Sequence, residues 1–292
     1  MMDVNNASFG IKESSFRPKF YVIYMVIFSI YYFFSPIVSQ LIFFFLKKNL
    51  SFNQTSFMYE LFEKLFIPTF SVFLILIVYI FIIEERNINF LFQGNRKNLL
   101  NSNIKGIMFA LVFLFALVFI FILKDFIISF KLNTEIIFSD LFKLILVFIF
   151  MYIKYLFLEC LYRGWLLNIL SYRYSLMPCI LFTSVVPTVI AFIEYQRVGF
   201  YLLYIYLFNI LITIIFLNYK DIFLVTSFNC CYNFLKRYIL SIENMNIKLE
   251  PIFFTVINNK EVYNIENNIY SIVALCLFIG IVFLLYKMKL KL

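Results

Sequence analysis

Long apolar runs separated by short polar stretches set the pattern of this chain. Eight windows, at about 20–46, 65–83, 105–123, 141–170, 174–195, 198–218, 220–240 and 268–286, are dense in Phe, Ile, Leu and Tyr. An apolar stretch of about 20 residues crosses the hydrocarbon of a bilayer as a helix, which pairs every backbone group internally. The fourth window is long enough to tilt or to project beyond the lipid. The seventh is the least apolar and carries Asp221, Asn229, Asn233, Lys236 and Arg237. The loops at 84–104 and 241–267 are polar. The second surrounds an apolar patch, Ile252–Phe254, which reads as a surface helix or flap.

Residues 1–19 form a polar tail with Lys12, Arg17 and Lys19. The apolar run that follows is too long for a cleavable signal peptide, and no small-residue cleavage site ends it. Residues 20–292 carry no repeat and no linker, so they read as a single membrane domain.

Composition strengthens this reading. Hydrophobic residues make up 64% of the 292 and charged residues 14%, whereas soluble domains are roughly 45–50% apolar. Only 6 glycines and no alternating ten-residue segments are present, which argues against a β-barrel. The fold class is therefore all-α, a polytopic transmembrane bundle of about eight helices. The 42 Phe and 21 Tyr against 1 Trp fit the amino-acid bias of an AT-rich coding sequence better than an aromatic ligand surface.

The net charge of +9 lies mostly in loops and tails. There it meets anionic head groups, so membrane lipid is an expected partner; nothing in the pattern suits a nucleic acid. The five cysteines, Cys160, Cys179, Cys230, Cys231 and Cys276, all fall in apolar windows without a C-x-x-C pair. They read as small buried residues, and neither a metal site nor a cofactor is expected. With the N-terminus inside, twelve Lys/Arg fall on inner segments and eleven on outer ones, which does not decide orientation. The tail Lys287-Met-Lys-Leu-Lys291 favours a cytoplasmic C-terminus, and hence both ends inside.

The chemistry-bearing residues stand inside the membrane windows. Charges there cost roughly 2.5–3.5 kcal/mol each on insertion scales, so they persist when paired or functional. Glu159 and Arg163 lie one helical turn apart on one face, with Lys154 slightly more than a turn before Glu159. Asn229 and Asn233 form a second such pair in the seventh window, and their amides are expected to point into the bundle. Asn209 lies in the sixth window, and Glu194 closes the fifth at an interface. Spacing alone is satisfied by interhelical fastening as well as by a site.

Order and context add specificity. Glu159-Cys-Leu-Tyr-Arg163-Gly164 is followed by Phe182-Thr-Ser-Val-Val186, a plain apolar window, and then Asn229-Cys-Cys-Tyr-Asn233. This arrangement resembles the CPBP family of intramembrane endopeptidases, also called Abi or CAAX-protease-like proteins. The family has eight membrane helices with the motifs Glu-Glu-x-x-x-Arg, Phe-x-x-x-His and His-x-x-x-Asn. The resemblance covers about residues 140–240, and Glu159, Arg163, Phe182 and Asn233 match it. Leu158 stands where the first glutamate is expected, Val186 at the fifth-helix histidine and Asn229 at the seventh-helix histidine.

The resemblance implies water activation by the first glutamate and the fifth-helix histidine, with oxyanion stabilisation by the seventh-helix pair. Leu158 and Val186 can take no proton, and the chain contains no histidine. Asn229 beside Asn233 can still donate hydrogen bonds to an oxyanion. Glu159 points about 100° away from Leu158 on a helix, and Cys160 has no base to form a thiolate. The resemblance thus implies a catalytically inactive homologue in a bacterial plasma membrane. Its role would be a membrane adaptor or regulator with a membrane or cell-envelope protein as partner, as in cell-wall enzyme control or bacteriocin immunity. An active endopeptidase with an altered site, using Glu159 or Glu194, is the first alternative. A transporter is the second, disfavoured by the scarcity of Gly/Pro-broken helices.

Overall fold

The computed structural model describes residues 20–50, 57–85, 87–92, 98–124, 126–134, 138–196, 198–242, 249, 251–257 and 265–289. Among these, long helices occupy all eight apolar windows: α1 (20–50), α2 (Phe57–Ile82), α3 (Leu99–Leu123), α4 (Phe138–Ser171), α5 (Leu176–Tyr195), α6 (Phe200–Tyr219), α7 (222–239) and α8 (Ile269–Lys289). Six are long and apolar enough to cross a membrane; α1 and α7 fall outside that set. The protein is an all-α, membrane-embedded helix bundle. Apolar side chains such as Phe115, Phe119, Leu277 and Leu284 are exposed on its outside, as lipid contact requires. The N-terminal tail 1–19 and Glu194's side chain lie outside the described residues.

The helices stay continuous but widen locally. Among the described residues four π-helical turns interrupt the α-geometry, at Ile30–Phe34, Phe62–Phe66, Cys160–Leu166 and Leu235–Ile239. The first two lie just before Pro36 and Pro68, whose missing N–H and ring displace the regular i−4 bond. Helix α5 continues through Pro187. Proline breaks none of these helices: the turns before Pro36 and Pro68 widen, and α5 keeps α-geometry through Pro187.

The core is one large apolar cluster drawn from all eight helices. Within it α3 and α7 approach closely, because Gly106 has no side chain to meet the Leu224 carbonyl. Polar fasteners line the same seam. Asp221 caps α7 by accepting from the Phe223 and Leu224 amides at 3.0 and 3.4 Å, and Ser102 donates to it as well. Asn103 Oδ1 accepts from Tyr152 at 2.9 Å and Ser227 at 2.6 Å.

The apolar patch Ile252–Phe254 is neither a helix nor a flap. It opens strand β2 (Phe253–Ile257), which pairs antiparallel with β1 (Ile127–Leu132), Leu132 opposite Phe253 and Phe130 opposite Thr255. The physical reason is β-propensity on both segments, Phe-Phe-Thr-Val-Ile against Ile-Ile-Ser-Phe-Lys-Leu. Ile127 and Phe130 of β1 join the main core, and a second, smaller cluster stands apart from it. It joins Leu61, Leu65, Val147, Met151 and Tyr238, with Leu249 and Ile252 laid over them. Of the cysteines, Cys160, Cys179, Cys230 and Cys231 are buried, while Cys276 is exposed on α8, whose inward face is Ile272, Leu275 and Val282.

Candidate functional site

Glu159 is the last α-helical residue before the π turn Cys160–Leu166, and Arg163 lies within that turn. The wide turn packs against the 3₁₀ segment Ile88–Phe92. A Cβ on Gly164 would stand 2.7 Å from the Leu91 carbonyl oxygen, so only glycine permits this approach. Trp165 locks the same turn by donating to Glu84 Oε1 at 2.8 Å. Wide turns of this kind recur at functional sites.

The side chains of Glu159 and Arg163 are fully buried, with Arg163 Nη1 3.0 Å from Glu159 Oε2. Each partner is held by another helix. Asn229 of α7 donates to Glu159 Oε1 at 2.9 Å, and its own backbone and side-chain oxygens accept from Asn233 at 2.9 and 2.8 Å. Arg163 Nη2 donates to the backbone oxygen and to Oδ1 of Asn209, both at 3.0 Å. One polar chain, Asn233–Asn229–Glu159–Arg163–Asn209, thereby ties α7, α4 and α6 together. It is not saturated: Glu159 Oε2 and the Nε and Nη1 atoms of Arg163 have no aligned hydrogen bond.

This chain borders a cavity of about 690 Å3. Leu158, half-buried, lines the cavity next to Glu159, so an alkyl group stands where the family resemblance expects a base. Lys154, Asn209, Asn229 and Asn233 also face it. The α5 positions stand apart. Helix α5 contributes Pro187, Ile190 and Ala191 to the wall, whereas Val186 and Phe182 are not among the wall residues. Val186 is buried in the apolar core. The Phe182 ring packs on Tyr174 at 5.7 Å, and its carbonyl accepts from Tyr24 at 2.6 Å. Cys160 is buried in the same core, away from the cavity wall.

Asn209 is the participant whose role the sequence did not reveal. Its signal was an amide in the middle of an almost wholly apolar α6, whose other amide, Asn218, lies at the helix end. Lys236 is a second surprise. It belongs to no loop but is 1% exposed and paired with buried Glu266, joining the end of α7 to the start of α8. No cluster of three His, Cys, Asp or Glu side chains stands together among the described residues.

No protein-family model matches this chain, and neither a curated protein nor a solved structure matches it.

Proposed function

We propose that the chain is a catalytically inactive, CPBP-like membrane protein that acts as an adaptor or regulator of another membrane or cell-envelope protein. The carrying observation is the state of the one carboxylate in the motif. Glu159 is fully buried and committed to Arg163 and Asn229, while Leu158 faces the cavity. A general base must reach its proton, and this wall offers an alkyl group at that place.

An eight-span topology belongs to the same proposal, and the strand pairing supports it. Strand β1 follows α3 and β2 follows α7, so both helices must end on one side of the membrane. With α4, α5 and α6 crossing three times between them, a fourth crossing by α7, despite its polar content, is the arrangement this pairing favours. Helix α1 is long enough to cross as well: Tyr24 reaches Phe182 near the start of α5, and Phe43 packs on Tyr59 at the start of α2. A bacterial plasma membrane with both termini cytoplasmic completes the proposal.

The unsatisfied Glu159 and Arg163 atoms beside an open cavity favour one rival reading, a site that still cuts peptides. Mass-spectrometric mapping of protein termini in host membranes decides between them, comparing deletion, wild type and Glu159→Gln. Identical termini in all three are expected. New termini present only with wild type would overturn the inactive reading.

A further inference from the structure

The cavity runs from the buried polar chain to the end of the bundle that carries the strand pair, where Arg237 and Glu266 join its wall. The charges on that wall are already answered within the protein. Glu159 is matched by Arg163, Glu266 by Lys236 and Lys64 by Glu60, and Lys154 and Arg237 hold contacts of their own. A charged ligand would have to displace one of these contacts, and burying its charge unpaired is costly.

The open hydrogen-bonding capacity belongs to two neutral amides instead. Asn233 Nδ2 faces two oxygens of Asn229, the backbone carbonyl and Oδ1, at 2.9 and 2.8 Å, and Asn229 Nδ2 faces Glu159 Oε1 at 2.9 Å. Flipping either amide would set oxygen against oxygen, so both orientations are fixed. One hydrogen of Asn229 Nδ2 and the Oδ1 of Asn233 are thereby left without a hydrogen bond among the described residues. Both side chains line the cavity and are more than nine-tenths buried, where polar groups are ordinarily paired. Together they call for a ligand that both accepts and donates. Hydroxyls do both; a carboxylate or an ester only accepts, and an ammonium only donates.

The rest of the wall decides what carries the hydroxyls. Val72, Leu158, Ile190 and Phe208 supply alkyl and aromatic surface that water would leave unmatched. The wall also reaches the lipid-facing side, because Pro36 is exposed beside the exposed Ile37 on α1. A volume of about 690 Å3 falls in the range of roughly 300–1,000 Å3 found for small-molecule sites.

We infer that this cavity binds an uncharged, hydroxyl-headed amphiphile of the monoacylglycerol kind. Its hydroxyls accept from Asn229 Nδ2 and donate to Asn233 Oδ1, and its chain lies along Leu158 and Phe208. The inference goes beyond the adaptor reading and stands whether or not the protein cuts peptides. The test uses the full chain in phosphatidylcholine nanodiscs, which offer no competing hydroxyl head. The probes are mono-octanoylglycerol, its diacetate with both hydroxyls capped, octanoate, and glycerol. The rise in melting temperature with concentration supplies an apparent affinity for each.

Mono-octanoylglycerol is expected to raise the melting temperature. Its affinity should fall roughly five-fold in Asn233→Ala, which removes one hydrogen bond, and at least as far in Leu158→Phe, which crowds the chain's path. Leu277→Ala, an exposed change on α8 outside the wall, should leave it unaltered. Where Asn233→Ala does not fold, Leu158→Phe decides. Equal stabilisation by the diacetate would overturn hydroxyl recognition, by octanoate the uncharged head, and by glycerol the amphiphile. A shift undiminished in Leu158→Phe would be an effect of the bilayer and would sink the proposal. So would the absence of any shift with mono-octanoylglycerol.

Discussion

Two buried ion pairs stand among the described residues, and they are built in opposite ways. Glu159–Arg163 lies within one helix, four residues apart, with both side chains fully buried. Lys236–Glu266 joins residues thirty apart at the sheet end of the bundle, with side chains 1% and 8% exposed. The first pair relies on neighbours, since Asn229 and Asn209 each complete one partner. The second is a clasp between the end of α7 and the start of α8, where the Lys236 ammonium also lies 5.1 Å from the Tyr232 ring centre. Burying a charge is costly unless it is paired and hydrogen-bonded, so depth and dependence on neighbours should decide how much each pair matters.

The largest effect is expected from breaking the inner pair on one side. Arg163→Met leaves a buried carboxylate held by Asn229 without its cation, and Asn209 Oδ1 without the Arg163 donor, and should cost about 3–5 kcal/mol. Lysine should not restore it, because an ammonium cannot reach Glu159 and both Asn209 oxygens with a planar fork. Melting in detergent with a denaturant series measures both variants. Glu159→Ala should likewise lower the melting temperature more than Glu159→Leu combined with Arg163→Leu. The double change still strands the amides of Asn209 and Asn229, at about 1–3 kcal/mol. A double variant as damaged as Glu159→Ala would mean the pair has a role beyond holding helices together.

The Lys236 clasp should matter less and more locally. Glu266→Ala leaves Lys236 buried, but this cation keeps the face of the Tyr232 ring, so a loss of about 2–3 kcal/mol is expected. The distinctive readout is hydrogen exchange. Strand β2 hangs from the end of α7, where Thr255 donates to the Leu240 carbonyl and the Ile252 amide donates to the Tyr238 carbonyl at 3.4 Å. Faster exchange in Phe253–Ile257, with α4 unchanged, would confirm that the clasp is separate from the inner chain. Equal acceleration in α4 would show that the two pairs act as one network.

The sequence made the inner pair legible because both members share one helix, and helical periodicity places residues i and i+4 side by side. Asn229 and Asn233 were legible for the same reason. What remained hidden needed tertiary structure. Asn209 has a visible amide, but nothing in α6 says which helix it faces. Lys236 reads as one more polar residue of the seventh window until Glu266, thirty residues on, is seen against it. Strand β2 was concealed because its partner β1 lies more than a hundred residues earlier, and a lone apolar patch of a few residues suits a surface helix equally well. The apolar windows were the clearest feature, since a membrane helix satisfies its own backbone and needs no distant partner to be recognised. The motif positions on α5 show the same limit: Phe182 and Val186 fall in register along the chain, yet neither reaches the cavity wall.

Glycine sharpens the contrast between site and periphery at the smallest scale. Gly164, in the widened turn that carries Arg163, faces the Leu91 backbone so closely that a methyl group would sit 2.7 Å from its carbonyl oxygen. Backbone cannot swing aside as a side chain can, so Gly164→Ala should cost about 1–3 kcal/mol by forcing the π turn away from Ile88–Phe92. Gly280, midway along α8, has no atom within 4 Å of the same added methyl. There alanine only removes the conformational freedom of the unfolded chain, and Gly280→Ala should stabilise by about 0.5–1 kcal/mol. Paired melting curves of the two variants test the close packing around the candidate site directly. If Gly164→Ala melted no lower than wild type, the wide turn would have room to move, and the tight seat assigned to Arg163 would be wrong.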